Sequence, residues 1–146
     1  MKLNRVLCVI VVCLGVFACK SDGSGESENS ARALEKEVLA IHDEVMPRMG
    51  EIESLRESLV SELENTALDS QLRVATNEAI SRLELGDSLM WDWMHNYSIP
   101  ENVSNDSVVK YLENEKRQIT QVRQTMQGAI TGAEGLLQKL GHSRAQ

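Results

Sequence analysis

Past residue 19 the chain contains no cysteine: Cys8, Cys13 and Cys19 all stand near its amino terminus. A domain built from the remainder has no disulfide and no thiolate metal site, so packing alone must stabilise it. Proline occurs only at Pro47 and Pro100, and aromatic residues make up 3% of the chain. So few helix breakers, beside so many Glu, Leu, Gln and Ala, point to helices, and no β-rich segment competes. Positive charge is also short. The formal net charge is −7, and without Lys2 and Arg5 the rest carries −9. Nucleic-acid binding needs a basic face, which this balance does not provide, and docking on anionic lipid headgroups is disfavoured likewise.

Catalytic signatures are missing too. There is no HExxH, CxxC, glycine-rich phosphate loop or GxSxG, and the histidines His42, His95 and His142 belong to no nucleophile–base–acid set. Pairs such as Glu35 with Glu37 and Glu51 with Glu53 fall on solvent-facing positions and read as a charged face. The expectation is a protein that is not an enzyme.

What is present begins at the amino terminus. Lys2 and Arg5 precede an apolar run, Val6 to Phe17, which ends at Ala18-Cys19. The run is shorter than the ~20 residues of a membrane-spanning helix. A charged start, a short apolar stretch and a small residue before cysteine make a lipoprotein signal peptide over residues 1–18. Val16 at −3, Ala18 at −1 and Cys19 at +1 fit that pattern; Phe17 at −2 is bulkier than usual. The Cys19 sulfur would be the nucleophile that takes a diacylglyceryl group. Acyl chains, at about 0.8 kcal/mol per buried CH2, hold a protein on a bilayer without a spanning helix. Lys20 follows in place of the aspartate associated with inner-membrane retention, which favours the outer membrane of a Gram-negative envelope. No cofactor is expected beyond the lipid on Cys19.

Residues 19–31 contain few apolar side chains and are expected to form a flexible tether. Residues 32–141 carry three helical patterns, and 142–146 a disordered tail. In the first pattern Leu34, Val38, Ile41, Val45, Met49, Ile52, Leu55, Leu59 and Leu63 recur at steps of three and four. Pro47 should kink or split this helix near residues 43–47, where Ile41, Val45 and Met49 make two successive four-residue steps. The second helix is expected over about 70–97. Leu72, Ala79, Gly86 and Trp93 form one heptad series, and Thr76, Leu83, Met90 and Tyr97 another. Small Ala79 and Gly86 should mark a close helix approach. Ser98-Ile99-Pro100 closes the helix.

For the third helix Ser104, Asn105 and Asp106 are candidate caps, and Gly141 the stop. Its core series are Val108, Val122, Ala129 and Leu136, and Leu112, Ile119, Met126, Ala133 and Leu140; Glu115 alone breaks them. The expected fold is all-α, an up-down-up antiparallel three-helix bundle with long helices.

Two constellations carry possible chemistry. His42, Met46 and Met49 share one face of the first helix, as Met90, Met94 and Tyr97 do on the second. Antiparallel pairing would set residue 46 beside about residue 89. Thioether plus imidazole is a ligand set for Cu(I) or haem, while methionine equally fills irregular core gaps. Asp87-Ser88-Leu89 and Asp106-Ser107-Val108 match a short O-glycosylation pattern, with Ser107 the better-placed acceptor.

The runs Ile41-His42-Asp43-Glu44-Val45-Met46-Pro47-Arg48-Met49-Gly50-Glu51-Ile52 and Met90-Trp91-Asp92-Trp93-Met94-His95-Asn96-Tyr97 resemble a family of small Bacteroidetes lipoproteins labelled "viral A-type inclusion protein-like". The resemblance implies an envelope location and a helical architecture, and supplies no catalytic residues. Together these features predict a lipid-anchored, non-catalytic helical interaction or scaffold protein with a protein partner. The alternative is an envelope Cu(I)- or haem-binding bundle using His42, Met46, Met49, Met90 and Met94.

Overall fold

A computed structural model describes residues 23–64 and 68–144. The expected signal peptide, Cys19 and residues 65–67 lie outside the described residues, as does the His142 side chain. Among the described residues every regular element is helical. These elements are α1 (Gly23–Val45), a 3-10 turn (Met46–Arg48), α2 (Met49–Leu63), α3 (Ser70–Asn96) and α4 (Asn105–Arg144). The first three follow one another without a gap, so the bundle consists of three helical segments. α4 packs along α1, α2 and α3, and α2 packs on α3.

The core follows heptads. Val38, Val45, Ile52 and Leu59 are buried at steps of seven, straight through the 3-10 turn. The two four-residue steps expected at Ile41, Val45 and Met49 are therefore not the line of deepest burial; Ile41 and Met49 flank it, half-buried. Pro47 has no amide to donate, which interrupts the α pattern. The chain tightens by one 3-10 turn, in which the Met49 N–H reaches Met46 O. On α3 the buried residues are Thr76, Leu83, Gly86, Met90 and Trp93, and on α4 Leu112, Ile119, Met126, Ala133 and Leu140 form the central line. Both registers match the sequence pattern. Ile130, fully buried, was not in either series. A helix that faces two neighbours needs an apolar stripe wider than a two-position seam.

The ends of the segments are set locally. Asp69 caps α3 in an extended conformation, its Oδ1 accepting from the Leu72 N–H at 2.8 Å. Arg73 Nη1 donates to Leu63 O at 2.8 Å, satisfying a carbonyl at the end of α2. Of the three candidate caps of α4, Ser104 serves: its carbonyl accepts from the Ser107 and Val108 amides at 2.9 and 3.1 Å. The connection before it turns through Asn102, whose φ of 59° asparagine tolerates well.

Two expected boundaries move. Helix begins at Gly23, so residues 23–31 belong to α1 rather than to a tether. Helix propagation is cooperative once a nucleus exists. This first stretch gains an Arg32–Glu28 pair at 2.5 Å, a buried Ala31, and a bond from Ser27 Oγ to Asp106 Oδ1 at 2.7 Å on α4. At the other end α4 passes through Gly141 to Arg144, so residues 142–144 are helix and not tail. No described glycine has positive φ, so Gly141 does not form the left-handed cap that would stop the helix.

Candidate functional site

The chemistry-bearing side chains collect at the end of α3. His42 of α1 and Trp93 of α3 are ring neighbours at 5.6 Å between centroids; Trp93 and Tyr97 follow at 4.9 Å, and Tyr97 and Tyr111 of α4 at 6.3 Å. This ladder of rings ties all three helical segments together. The expected pairing of residue 46 with about residue 89 puts residue 42 opposite residue 93, and that contact is present. Tyr97 holds the C-terminal cap of α3, extended at ψ 110°, its amide donating to Trp93 O at 2.9 Å. Tyr111 Oη accepts from the Ser98 N–H at 2.8 Å.

Two polar atoms inside the ladder, Trp93 Nε1 and Tyr97 Oη, are buried without a hydrogen-bond partner. Burial pushes the Tyr97 hydroxyl up to about 12, reinforced by the carboxylates of Glu35 and Glu115. Tyr111 is raised as well, chiefly by burial, against which the Ser98 amide works by stabilising its phenolate.

The methionines of the sequence cluster fill space beside these rings. Met90 is fully buried in the core, and Met46, Met49 and Met94 are half-buried against the same core. His42 Nδ1 lies 3.0 Å from Asp43 Oδ1 while its ring face meets Trp93. Each of the five therefore has a packing or polar partner within the fold. Among the described residues no group of three or more His, Cys, Asp or Glu side chains converges as a metal site would. Ser107 is exposed in the first turn of α4, 2.9 Å from Ser104 Oγ, and Ser88 is exposed on α3.

A second feature was not anticipated. Between α3 and α4, beside Trp93, runs a groove of about 300 Å³ that includes Asp92, Asn96, Glu115 and Gln118. Glu115 is 6% exposed. Its signal was visible as the single charged break in the α4 heptads. Its groove neighbours on α3 were not, because they are set by how two helices distant in sequence meet.

No family model, curated protein or solved structure matches this chain.

Proposed function

We propose that this chain is a lipid-anchored, non-catalytic helical scaffold of a bacterial envelope, held by acylated Cys19 and presenting a rigid rod to a protein partner. The observation that carries the reading is the amino-terminal pattern ending at Cys19, with helix beginning at Gly23. So short a separation couples the rod closely to its anchor. No helix among the described residues is long and apolar enough to cross a membrane. The resemblance to small Bacteroidetes lipoproteins supports an envelope location, and Lys20 after Cys19 favours the outer membrane.

The rod itself is up-down-up in this reading. Ser27 with Asp106, Glu37 with Lys116 and Glu44 with Arg123 are all paired at a separation of 79 residues, as in two parallel helices in constant register. Pro47 would bend the first segment at the 3-10 turn. The 40 residues of α4, at about 1.5 Å each, extend roughly 60 Å, long enough to hold a partner well clear of the bilayer.

The test is Cys19→Ser. The variant should fold as the parent does and move from the membrane fraction to the soluble fraction. If it still pellets with membranes after a salt wash, the lipid anchor is wrong. Titrating the detergent-purified protein with Cu(I) and with haem tests the other use of the Met/His cluster. Stoichiometric binding lost in both His42→Ala and Met90→Ala would replace the scaffold reading.

A further inference from the structure

We propose that the groove between α3 and α4 at Glu115 binds a small primary alkylammonium cation. The argument starts from a position that the fold would fill more cheaply with an apolar residue. Val122 and Ala129, one and two heptads further on, are buried in the same series, and Glu115 sits among them at 6% exposure. A carboxylate drawn into a helix seam gives up part of its hydration, which a cation and hydrogen bonds replace. Glu115 has one bond, from Gln118 Nε2 to its Oε1 at 3.0 Å, and no ion pair among the described residues.

The groove wall lacks the cation as well. It includes a second carboxylate, Asp92, and no lysine, arginine or histidine. Two of its three carboxamides, Asn96 and Gln118, are oriented by their partners. Asn96 Nδ2 donates to the Asp92 main-chain carbonyl at 2.7 Å, and Gln118 Nε2 to Glu115. Both partners only accept, so each amide nitrogen must face the protein, leaving its oxygen as a further acceptor. Leu89 and the Trp93 side chain supply an apolar wall beside this acceptor-rich floor. Three hydrogens and a positive charge at the end of a short alkyl stem match that set. A hard divalent ion has no use for the apolar wall. The volume, about 300 Å³, is at the small end of ligand pockets. This inference is independent of how the chain is anchored.

The test is calorimetric titration of the detergent-purified protein with n-butylammonium chloride at low ionic strength, with n-butanol and CaCl2 in parallel. Saturable one-to-one binding of the amine is expected, with neither control binding comparably. Glu115→Gln should weaken it at least about tenfold, an amount corresponding to about 1.4 kcal/mol, without lowering the thermal midpoint. Asp92→Asn, on the exposed wall, should weaken it by a smaller factor. No saturable heat up to ~10 mM amine, a range in which binding is worth under ~3 kcal/mol, would overturn the proposal. So would equal binding of butanol or calcium, or amine binding unchanged in Glu115→Gln.

Discussion

Gly86 shows how one residue sets a helix distance. A Cβ built there would lie 3.4 Å from Met126 Cα and Cγ and 3.6 Å from Ile52 Cδ1, so α2, α3 and α4 meet at that point. One methyl fits at ordinary contact distance; an isobutyl group does not. Gly86→Ala should be neutral or stabilising by up to about 1 kcal/mol, since alanine is the better helix former. Gly86→Leu should lose about 1–3 kcal/mol to overpacking, partly offset by the same propensity gain. Thermal melts of both variants read the difference, and a Leu variant more stable than the parent would place Gly86 away from the helix contact. Tyr97 is the complementary case, a buried hydroxyl with no partner. Its proton is held up to about 12, against an ordinary value of 10.0. In that window the folded chain binds more protons than the unfolded chain, so stability is fully present below pH 10 and falls as pH rises towards 12. Tyr97→Phe should remove part of this alkaline loss. At neutral pH it should cost less than ~1 kcal/mol or even stabilise, because no native hydrogen bond is broken. Chemical denaturation at pH 8 and pH 11 measures both.

Element boundaries answer to caps and to cooperativity. Asp69 combines an extended backbone with a side-chain bond to Leu72 N, the geometry of an effective N-cap. Asp69→Ala should destabilise the protein by about 1 kcal/mol, within the 0.5–2 range for such caps, and loosen the first turn of α3. Amide exchange concentrated at residues 70–73 would report it; uniform exchange would not fit a local cap. At Pro47 the local rule and the long-range one act together. Proline interrupts the α pattern, yet the buried heptad line from Val38 to Leu59 keeps its spacing across the turn. Packing against α4 holds the phase that the backbone break alone would have left open. The early start of α1 has the same origin. Gly, Ser and Asn over residues 23–30 favour no helix by themselves, and the Ser27 bond to α4 together with the burial of Ala31 shifts the balance.

At the scale of the whole molecule the interior, rather than the surface ion pairs, carries the stability. Glu37 with Lys116 and Glu44 with Arg123 join α1 to α4 through half-exposed side chains. Pairs of that kind contribute about 0–1 kcal/mol and are screened by salt. Ile119, fully buried in the centre of α4, is in a different class. Replacing Glu37 and Glu44 together by Gln should cost less than about 1 kcal/mol per pair, while Ile119→Ala should cost about 2–5 kcal/mol. Denaturant midpoints rank the two, and a larger loss from the charge variant would mean the pairs are more important than their exposure indicates.

The sequence alone determined the class and the registers. Apolar spacing near seven is a property of one helix, fixed by 3.6 residues per turn, so the lines through Leu83 and Ile119 were legible without any partner. Ser104, one of three candidate caps, and Pro47 act within a few residues of themselves and were legible for the same reason. Of the Met/His cluster, the facing of His42 and Trp93 was legible from antiparallel pairing, while the full enclosure of Met90 was decided by tertiary packing. Only the tertiary structure decided that α1 starts at Gly23, that Ile130 is core, and that Glu115 shares a groove with Asp92 and Asn96. Each of these depends on which faces meet across long stretches of chain. That is set by packing and loop closure among residues far apart in sequence, and no local period encodes it.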